Sequence, residues 1–475
     1  MTGSTGAVRN PGSFRDSSGY VFRHEDRIIR GLTSSSAETF SKLKTSGLLD
    51  ALAVQGLMID TNALDAGADL RSQFRGARGE DIVALYEHPR LPVVTYPYEW
   101  VFSQLKDAAL QHLSLQLVAF DKGYVLSDAT AYNMQMFDGR FLHIDPPSLR
   151  PYEDGKPWAG YNQFCRQFLL PLLLEAWSGL GFQSLYRGSM DGIRFEDALA
   201  VLPKSKMMLS PTALFHVWMH GRSVLKRSDS SSSSANRAEQ AQVPKAHYRA
   251  ILQQLRDFIA GLKSDRRPDS YWSDYAERNS YSDAMKRDKS AFVSEWAART
   301  KPGIIWDLGG NTGDFSRAAL DGGAGLSVLI DGDNDSIEAA WRNRARDGGR
   351  IIPVLMNLLD PSPSMGWRQM ERQGLAERAP ADGILALAVL HHMVIGGNLP
   401  MSEAVDWLMS LAPTGIIEFV PTTDPMVRGL MAHRDELASD YSPETFMRAV
   451  EANGQVGTTK TFEENGRLLV EYSTT

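Results

Sequence analysis

From residue 303 to the C-terminus, short apolar runs alternate with stretches whose apolar positions recur at helical spacing. The apolar runs are Ile304-Ile305-Trp306, Leu326–Ile330, Ile351–Leu355, Gly383–Val389 and Gly415-Ile416-Ile417. Helices are predicted from about Asp314 and over Ser336–Ala345. Short runs separated by helical stretches predict parallel strands joined by crossover helices. Gly383–Val389 is almost wholly apolar, as a strand covered on both faces must be. Two last runs, near Val456–Phe462 and Arg467–Tyr472, flank a turn at Glu464-Asn465-Gly466 and predict an antiparallel hairpin. The expected fold class is α/β, Rossmann-like: a mostly parallel seven-stranded sheet closed by that C-terminal hairpin.

The pattern upstream is different and predicts an α+β N-terminal domain over residues 19–225. A hairpin is expected over Gly19–Gly31, with Tyr20-Val21-Phe22 and Ile28-Ile29 on either side of Glu25-Asp26. A helix near Ala37–Leu52, a strand at Leu91–Tyr96 and a helix over Trp100–Val118 follow. A second hairpin pairs Met134–Phe137 with Phe141–Ile144 about Asp138-Gly139-Arg140. Residues 1–18 are expected to be a disordered tail. The serine run Ser230–Ser234 cannot bury apolar surface, so residues 226–245 are expected to be a linker. An amphipathic helix at His247–Leu262 would then open the C-terminal domain, 246–475.

Composition adds little for or against this picture. Of 475 residues, 43% are hydrophobic and 23% charged, which supports buried cores. The formal charge of −7 and pI near 5.9 disfavour nucleic acid as a partner, because such binders usually carry a basic field. The apolar run Phe168–Leu174 is far shorter than the roughly 20 residues a membrane span needs, so no membrane partner is expected. The one cysteine, Cys165, rules out an intrachain disulfide and a cysteine-based zinc site. No metal site is expected. With no apolar segment near the N-terminus, a cytoplasmic location is expected.

The candidate chemistry falls at the strand ends, where open α/β sheets bind ligands. The first strand runs into Asp307-Leu308-Gly309-Gly310-Asn311-Thr312-Gly313 before a helix. Glycines in such a turn let backbone approach a ligand closely. The spacing lacks the G-x-G-x-x-G fingerprint of pyrophosphate cofactors, which disfavours NAD and FAD. It suits S-adenosylmethionine, with Asp307 facing the donor's ammonium group and Gly309, Asn311 and Gly313 shaping the loop. Asp331, at the end of the second strand, is placed to accept the ribose hydroxyls. After the third strand, Asn357 can bond the adenine edge and Leu358 can pack on its face. The fourth strand stops at His391-His392 and the fifth at Glu418. A histidine there can take a proton near neutral pH. Glu418 is a second candidate base, or the partner that orients a histidine. Trp272, Tyr275 and Tyr281 precede the first strand and are either an aromatic lid or the packing of a pre-domain helix.

Several segments together resemble a bacterial family of class I S-adenosylmethionine-dependent methyltransferases, one branch of which is a host-specificity nodulation protein of rhizobia. The resemblance rests on Trp272–Tyr275, Asn279–Tyr281, Asp307–Gly313, Asp360–Pro363, Leu385–His392 and Glu418–Pro421, and reaches back to Ser127–Asn133 and Tyr161–Cys165. It implies donor-dependent methyl transfer without naming an acceptor. Gly310 stands where the family pattern leads one to expect cysteine, and Asn357 and Asp360 look exchanged. The acceptor stays open between a small molecule, a glycan and a protein partner. Nucleic-acid methylation and a non-catalytic donor-binding scaffold are the alternatives. The first is disfavoured because His391-His392 replaces the Asn/Asp-Pro-Pro-Tyr type of loop.

In the N-terminal domain, Asp128, Asn133 and Asp145 resemble the catalytic loop and metal-binding aspartate of kinase-like folds. No glycine-rich phosphate loop precedes them, and no strand carries an evident phosphate-binding lysine; Lys42 and Lys44 fall in a helical pattern. The competing reading makes the three residues loop hydrogen-bonding groups in a recognition domain. The expected role is recognition of the acceptor or a partner, without phosphate transfer.

Overall fold

The C-terminal part holds the mostly parallel seven-stranded sheet with an antiparallel hairpin that the periodicity leads one to expect. The computed structural model describes residues 6–15, 19–65, 67–228, 243–267, 283–378, 381–431 and 441–474. They fall into two compact units, Met1–Arg267 with Met365–Arg372, and Pro268–Ser364 with Gln373–Thr475.

In the first unit, strands β1 (Val8–Arg9), β2 (Gly19–His24), β3 (Arg27–Thr33), β4 (Asn62–Leu64) and β5 (Ile82–His88) form an antiparallel sheet in the order β1-β2-β3-β5-β4. Two small antiparallel pairs follow. One joins β6 (Tyr124–Leu126) to β9 (Leu149–Pro151), the other β7 (Met134–Phe137) to β8 (Arg140–His143). Several expectations need correction here. Val8–Arg9 lies in the segment expected to be a disordered tail, yet it pairs with Phe22 and Arg23 as an edge strand. The single helix near Ala37–Leu52 is two, Ser34–Thr45 and Leu48–Val54, parted where Gly47 takes φ 73°. Leu91–Tyr96 is not a strand. The Gln135 side chain bonds both the N–H and the C=O of Thr95, at 2.9 Å each, in place of a ladder. The strand is instead Ile82–His88, whose burial is too mixed for a clean alternation.

Helix Lys245–Gly261 also belongs to the first unit, not to the C-terminal one. Its apolar stripe Tyr248, Leu252, Leu255 and Ile259 is buried. It packs on helix Phe102–Asp121, with Tyr248 stacked on Phe120 at 4.6 Å and Arg249 paired with Asp121 at 2.9 Å. Residues 229–242, which include the serine run, lie outside the described residues.

The second unit holds β10 (Ile304–Leu308), β11 (Leu326–Asp331), β12 (Ile351–Leu355), β13 (Gly383–Ala386), β14 (Thr414–Phe419), β15 (Gln455–Thr461) and β16 (Leu468–Ser473). Their order is β12-β11-β10-β13-β14-β16-β15. The first five are parallel; β16 runs antiparallel to β14, and β15 to β16. Helices Asp314–Asp321 and Asn334–Arg342 are the crossovers that bring the chain back between β10, β11 and β12. The side chain of Asp333 caps the second of them, accepting the N–H of Asp335 at 3.0 Å. The fourth strand is shorter than its apolar run. It stops at Ala386, and Ala388 adopts φ 53°, which turns the chain away from the sheet before His391.

Candidate active site

A cavity of about 460 Å³ opens at the carboxyl ends of the parallel strands. The loop after β10 forms one wall. Gly309 and Gly313 take φ 69° and 86°, and Asn311 takes 50°, so the loop bends through left-handed backbone that glycine adopts without penalty. The Gly309 N–H donates to Ile330 O at 2.8 Å, and the Gly313 N–H to Gly310 O at 2.9 Å, which closes the turn against β11. At Gly310 a β-carbon would lie 2.3 Å from Leu329 and 2.5 Å from Asp307, so the glycine found there in place of cysteine is required by close packing.

Asp331 lines the cavity from the end of β11. Its carboxylate accepts the N–H of Asn311 and the N–H of Asp333, each at 2.8 Å. Burial raises its pKa, and these N–H groups work against the rise. Asn357 and Leu358 line the same cavity after β12, with Asn357 Oδ1 accepting the Leu359 N–H at 3.0 Å. His392 lines the far wall. Burial lowers its pKa to about 4, so it is neutral at physiological pH and able to accept a proton.

Three expected positions differ in place. Asp307 does not line the cavity. It is 1% exposed and accepts the Ser316 hydroxyl at 2.6 Å, while its Oδ1 has no partner. Burial raises its pKa to about 6. It braces the loop from beneath. Gly313 shapes the loop, as expected of it, without lining the cavity. His391 is fully buried, its ring 4.1 Å from that of His392. Its pKa falls well below the usual range, through burial first and then the fields of His392, Arg467 and Lys289. Glu418 is also fully buried: Lys289 Nζ lies 2.6 Å away and Arg467 Nη1 3.2 Å. Among the described hydrogen bonds, none joins it to either histidine. Trp272, Tyr275 and Tyr281 lie outside the described residues.

Lys289 and Arg467 were not foreseen. One signal was available for Lys289. Met285, Phe292, Val293 and Trp296 are the buried face of helix Asp283–Thr300, and position 289 falls on that same face.

In the first unit, Asn133 Nδ2 donates to Asp128 Oδ2 at 3.3 Å, and the Thr130 N–H to Asp128 Oδ1 at 3.0 Å. Burial and the charge of Asp145 raise the Asp128 pKa. Asp145 pairs at 2.9 Å with Arg30, a buried cation on β3 that a search for a strand lysine overlooks.

No family model matches the chain. Nodulation protein NoeA of Rhizobium meliloti (strain 1021) is 40% identical over 448 residues, spanning 94% of this chain and 92% of that protein. The chain belongs to the NoeA family. Among solved structures, the N-methyltransferase NodS from Bradyrhizobium japonicum WM9 is 12% identical and covers 40% of this chain and 97% of its own, with a TM-score of 0.30. An O-methyltransferase family protein from Burkholderia thailandensis is 17% identical, covering 40% of this chain and 56% of its own, also with a TM-score of 0.30. The fold of this NoeA-family chain rests on its own topology: its second unit has the mixed seven-stranded sheet of class I Rossmann-like methyltransferases, preceded by an α+β unit.

Proposed function

We propose that the chain transfers a methyl group from S-adenosylmethionine to an acceptor that is a small molecule, a glycan or a protein partner. The observation that carries this is the cavity where the Gly309–Gly313 loop, Asp331 and Asn357-Leu358 converge at three successive strand ends. Asp331 keeps acceptor capacity for ribose hydroxyls beyond the two N–H groups it already holds. Asn357 and Leu358 serve the adenine, and the backbone of Gly309 and Asn311 lies against the methionine portion. The donor supplies an electrophilic sulfonium methyl. His392 is the cavity-facing group that takes a proton from the acceptor side. Asp331 and Asp333 give this wall negative charge, which suits a cationic donor and disfavours a pyrophosphate.

The first unit recognises the acceptor or a partner. Asp128, Asn133 and Asp145 serve there as loop-ordering groups. No described helix is long and apolar enough to cross a membrane. The single, buried Cys165 suits a reducing compartment, and the cytoplasm is the proposed location. The name of the relative ties that relative to nodulation, and a role of the same kind is proposed here.

The test is consumption of S-adenosylmethionine by the full chain against fractionated metabolite and glycan pools. The expected result is demethylated product in one fraction, abolished by Asp331→Ala. Absence of product from every fraction, with protein and plant extracts included, would favour the non-catalytic scaffold.

A further inference from the structure

The residues lining the cavity fall into two sets according to the strand each follows. Those that serve the donor come after β10, β11 and β12: Gly309 and Asn311, then Asp331, then Asn357 and Leu358. The second set comes from the other side of β10. Ala388, Val389, His392, Met393 and Gly396 follow β13, and Leu430 lies on helix Pro425–Met431 after β14. That helix packs on the turn His392–Gly396. The two sets touch at two places. A β-carbon on Gly309 would lie 3.1 Å from Val389, and one on Gly397 would lie 2.5 Å from Leu359. Leu359 therefore reaches across from the loop after β12 to the second set. It lines the cavity and is still 45% exposed. Within the second set and Leu359, His392 alone has a side chain with a nitrogen or an oxygen. Among the described residues no lysine or arginine lines the cavity.

We propose that this second half of the cavity is the acceptor site, and that the acceptor is an uncharged small molecule whose reacting group is carried on an apolar aryl or alkyl body. This rests on the donor reading above. Strand order sets the geometry. A donor spread over β12, β11 and β10 has the second set on its remaining side, next to β13. The walls set the class. A glycan presents hydroxyls on every side, and here a single side chain could answer them, so most would be stripped of water without a partner. A carboxylate or phosphate would lose its water against Val389, Met393 and Leu430 with no cation to meet it. An apolar body gains instead, by about fourfold in affinity for each methylene buried, and it covers Leu359. In the transfer, a lone pair on the acceptor's heteroatom forms the bond to the methyl carbon. The carbon–sulfur bond breaks with its electrons on sulfur, which becomes a neutral thioether. The acceptor's proton passes to His392, the base of the proposed function, so the positive charge moves from sulfur to imidazole.

The experiment follows the methionine methyl groups by ¹³C NMR in the full chain, saturated with the demethylated donor product; Met393 is assigned from Met393→Leu. Phenol, para-cresol, para-ethylphenol and para-propylphenol are titrated in, and methyl β-D-glucoside and para-hydroxybenzoate beside them. The phenols should move the Met393 resonance, with affinity rising about two- to fourfold for each added carbon. The glucoside and the benzoate should bind at least about tenfold more weakly than para-propylphenol. Gly396→Leu adds a side chain where a β-carbon meets nothing within 4 Å, so it narrows the acceptor half without a clash at that carbon. It should weaken para-propylphenol by about tenfold or more and leave affinity for the demethylated product within a few-fold. Affinity flat along the phenol series, a glucoside or benzoate that binds as tightly, a Met393 resonance unmoved by the phenols, or a folded Gly396→Leu variant with unchanged phenol affinity would each overturn the proposal. The probe series is read on the unsubstituted chain, so a leucine variant that fails to fold leaves the question decidable. Calorimetry with the demethylated product comes first: no binding there sinks the donor reading itself, a separate outcome from bound product with no response to the phenols.

Discussion

Asp307 and Asp331 end neighbouring strands, yet only Asp331 reaches the cavity. Both were legible as strand-end carboxylates. What sequence does not carry is depth: Ser316 and the close approach of Gly310 seal Asp307 beneath the loop. Its folded pKa, raised to about 6, makes ionisation unfavourable to folding. A raised carboxyl contributes stability in full below its unfolded pKa and loses it as pH rises through the folded one. Asp307→Asn should therefore shrink the loss of stability between pH 5 and pH 8 by up to about 1.4 kcal/mol, measured by urea unfolding at both pH values. An unchanged difference would mean the carboxyl is not desolvated. His392 gives a second prediction at this scale. His392→Ala should lower turnover by about 10²-fold while leaving donor affinity within a few-fold. Because burial holds its pKa near 4, the wild-type rate should not fall on its account until the pH approaches that value. A rate that halves near pH 6.5 would contradict that placement. Lys289 and Arg467 were hidden for another reason. Lys289 pairs with a carboxylate 129 positions away, and Arg467 with two, 49 and 43 positions away in the chain.

Among elements, the strands read most clearly, because a buried parallel strand is apolar whatever surrounds it. Their ends read less well. Ala388 leaves the extended region inside an unbroken apolar run, and nothing local in Leu387-Ala388-Val389 announces it. Leu91–Tyr96 has a strand's composition, but its backbone is satisfied by one distant glutamine. The loop after β10 carries the sharpest element-scale test. Gly310→Ala places a methyl 2.3 Å from Leu329 and 2.5 Å from Asp307, so the turn must shift. The expected cost is about 1–3 kcal/mol of stability, read by thermal unfolding, with donor affinity falling as well. An alanine variant of wild-type stability would show that the loop packs more loosely than described.

For the whole molecule, the serine run marked a polar stretch correctly but not the division between units. Helix Lys245–Gly261 lies beyond that run and still packs with the first unit, because Phe120 and Asp121 complement Tyr248 and Arg249. That pairing spans well over a hundred residues and leaves no trace in local composition. Acid stability is a property of the chain as a whole. Burial lowers the pKa of His88, His216 and His392 to about 4 and of His143 to about 3. The unfolded chain takes up those protons near pH 6.5 and the folded one does not, so stability is full above that pH and falls between pH 6.5 and 4. Each of the three near 4 contributes up to roughly 3 kcal/mol to the fall. Denaturant midpoints across that window should drop steeply, and flat midpoints would contradict the burial of these rings. The central claim, a donor site for S-adenosylmethionine, is tested most directly by calorimetry of the full chain with the donor and its demethylated product. Binding of both at one site, weakened at least tenfold by Asp331→Ala and unaffected by NAD, is the predicted result; a folded wild-type chain that binds neither would contradict it.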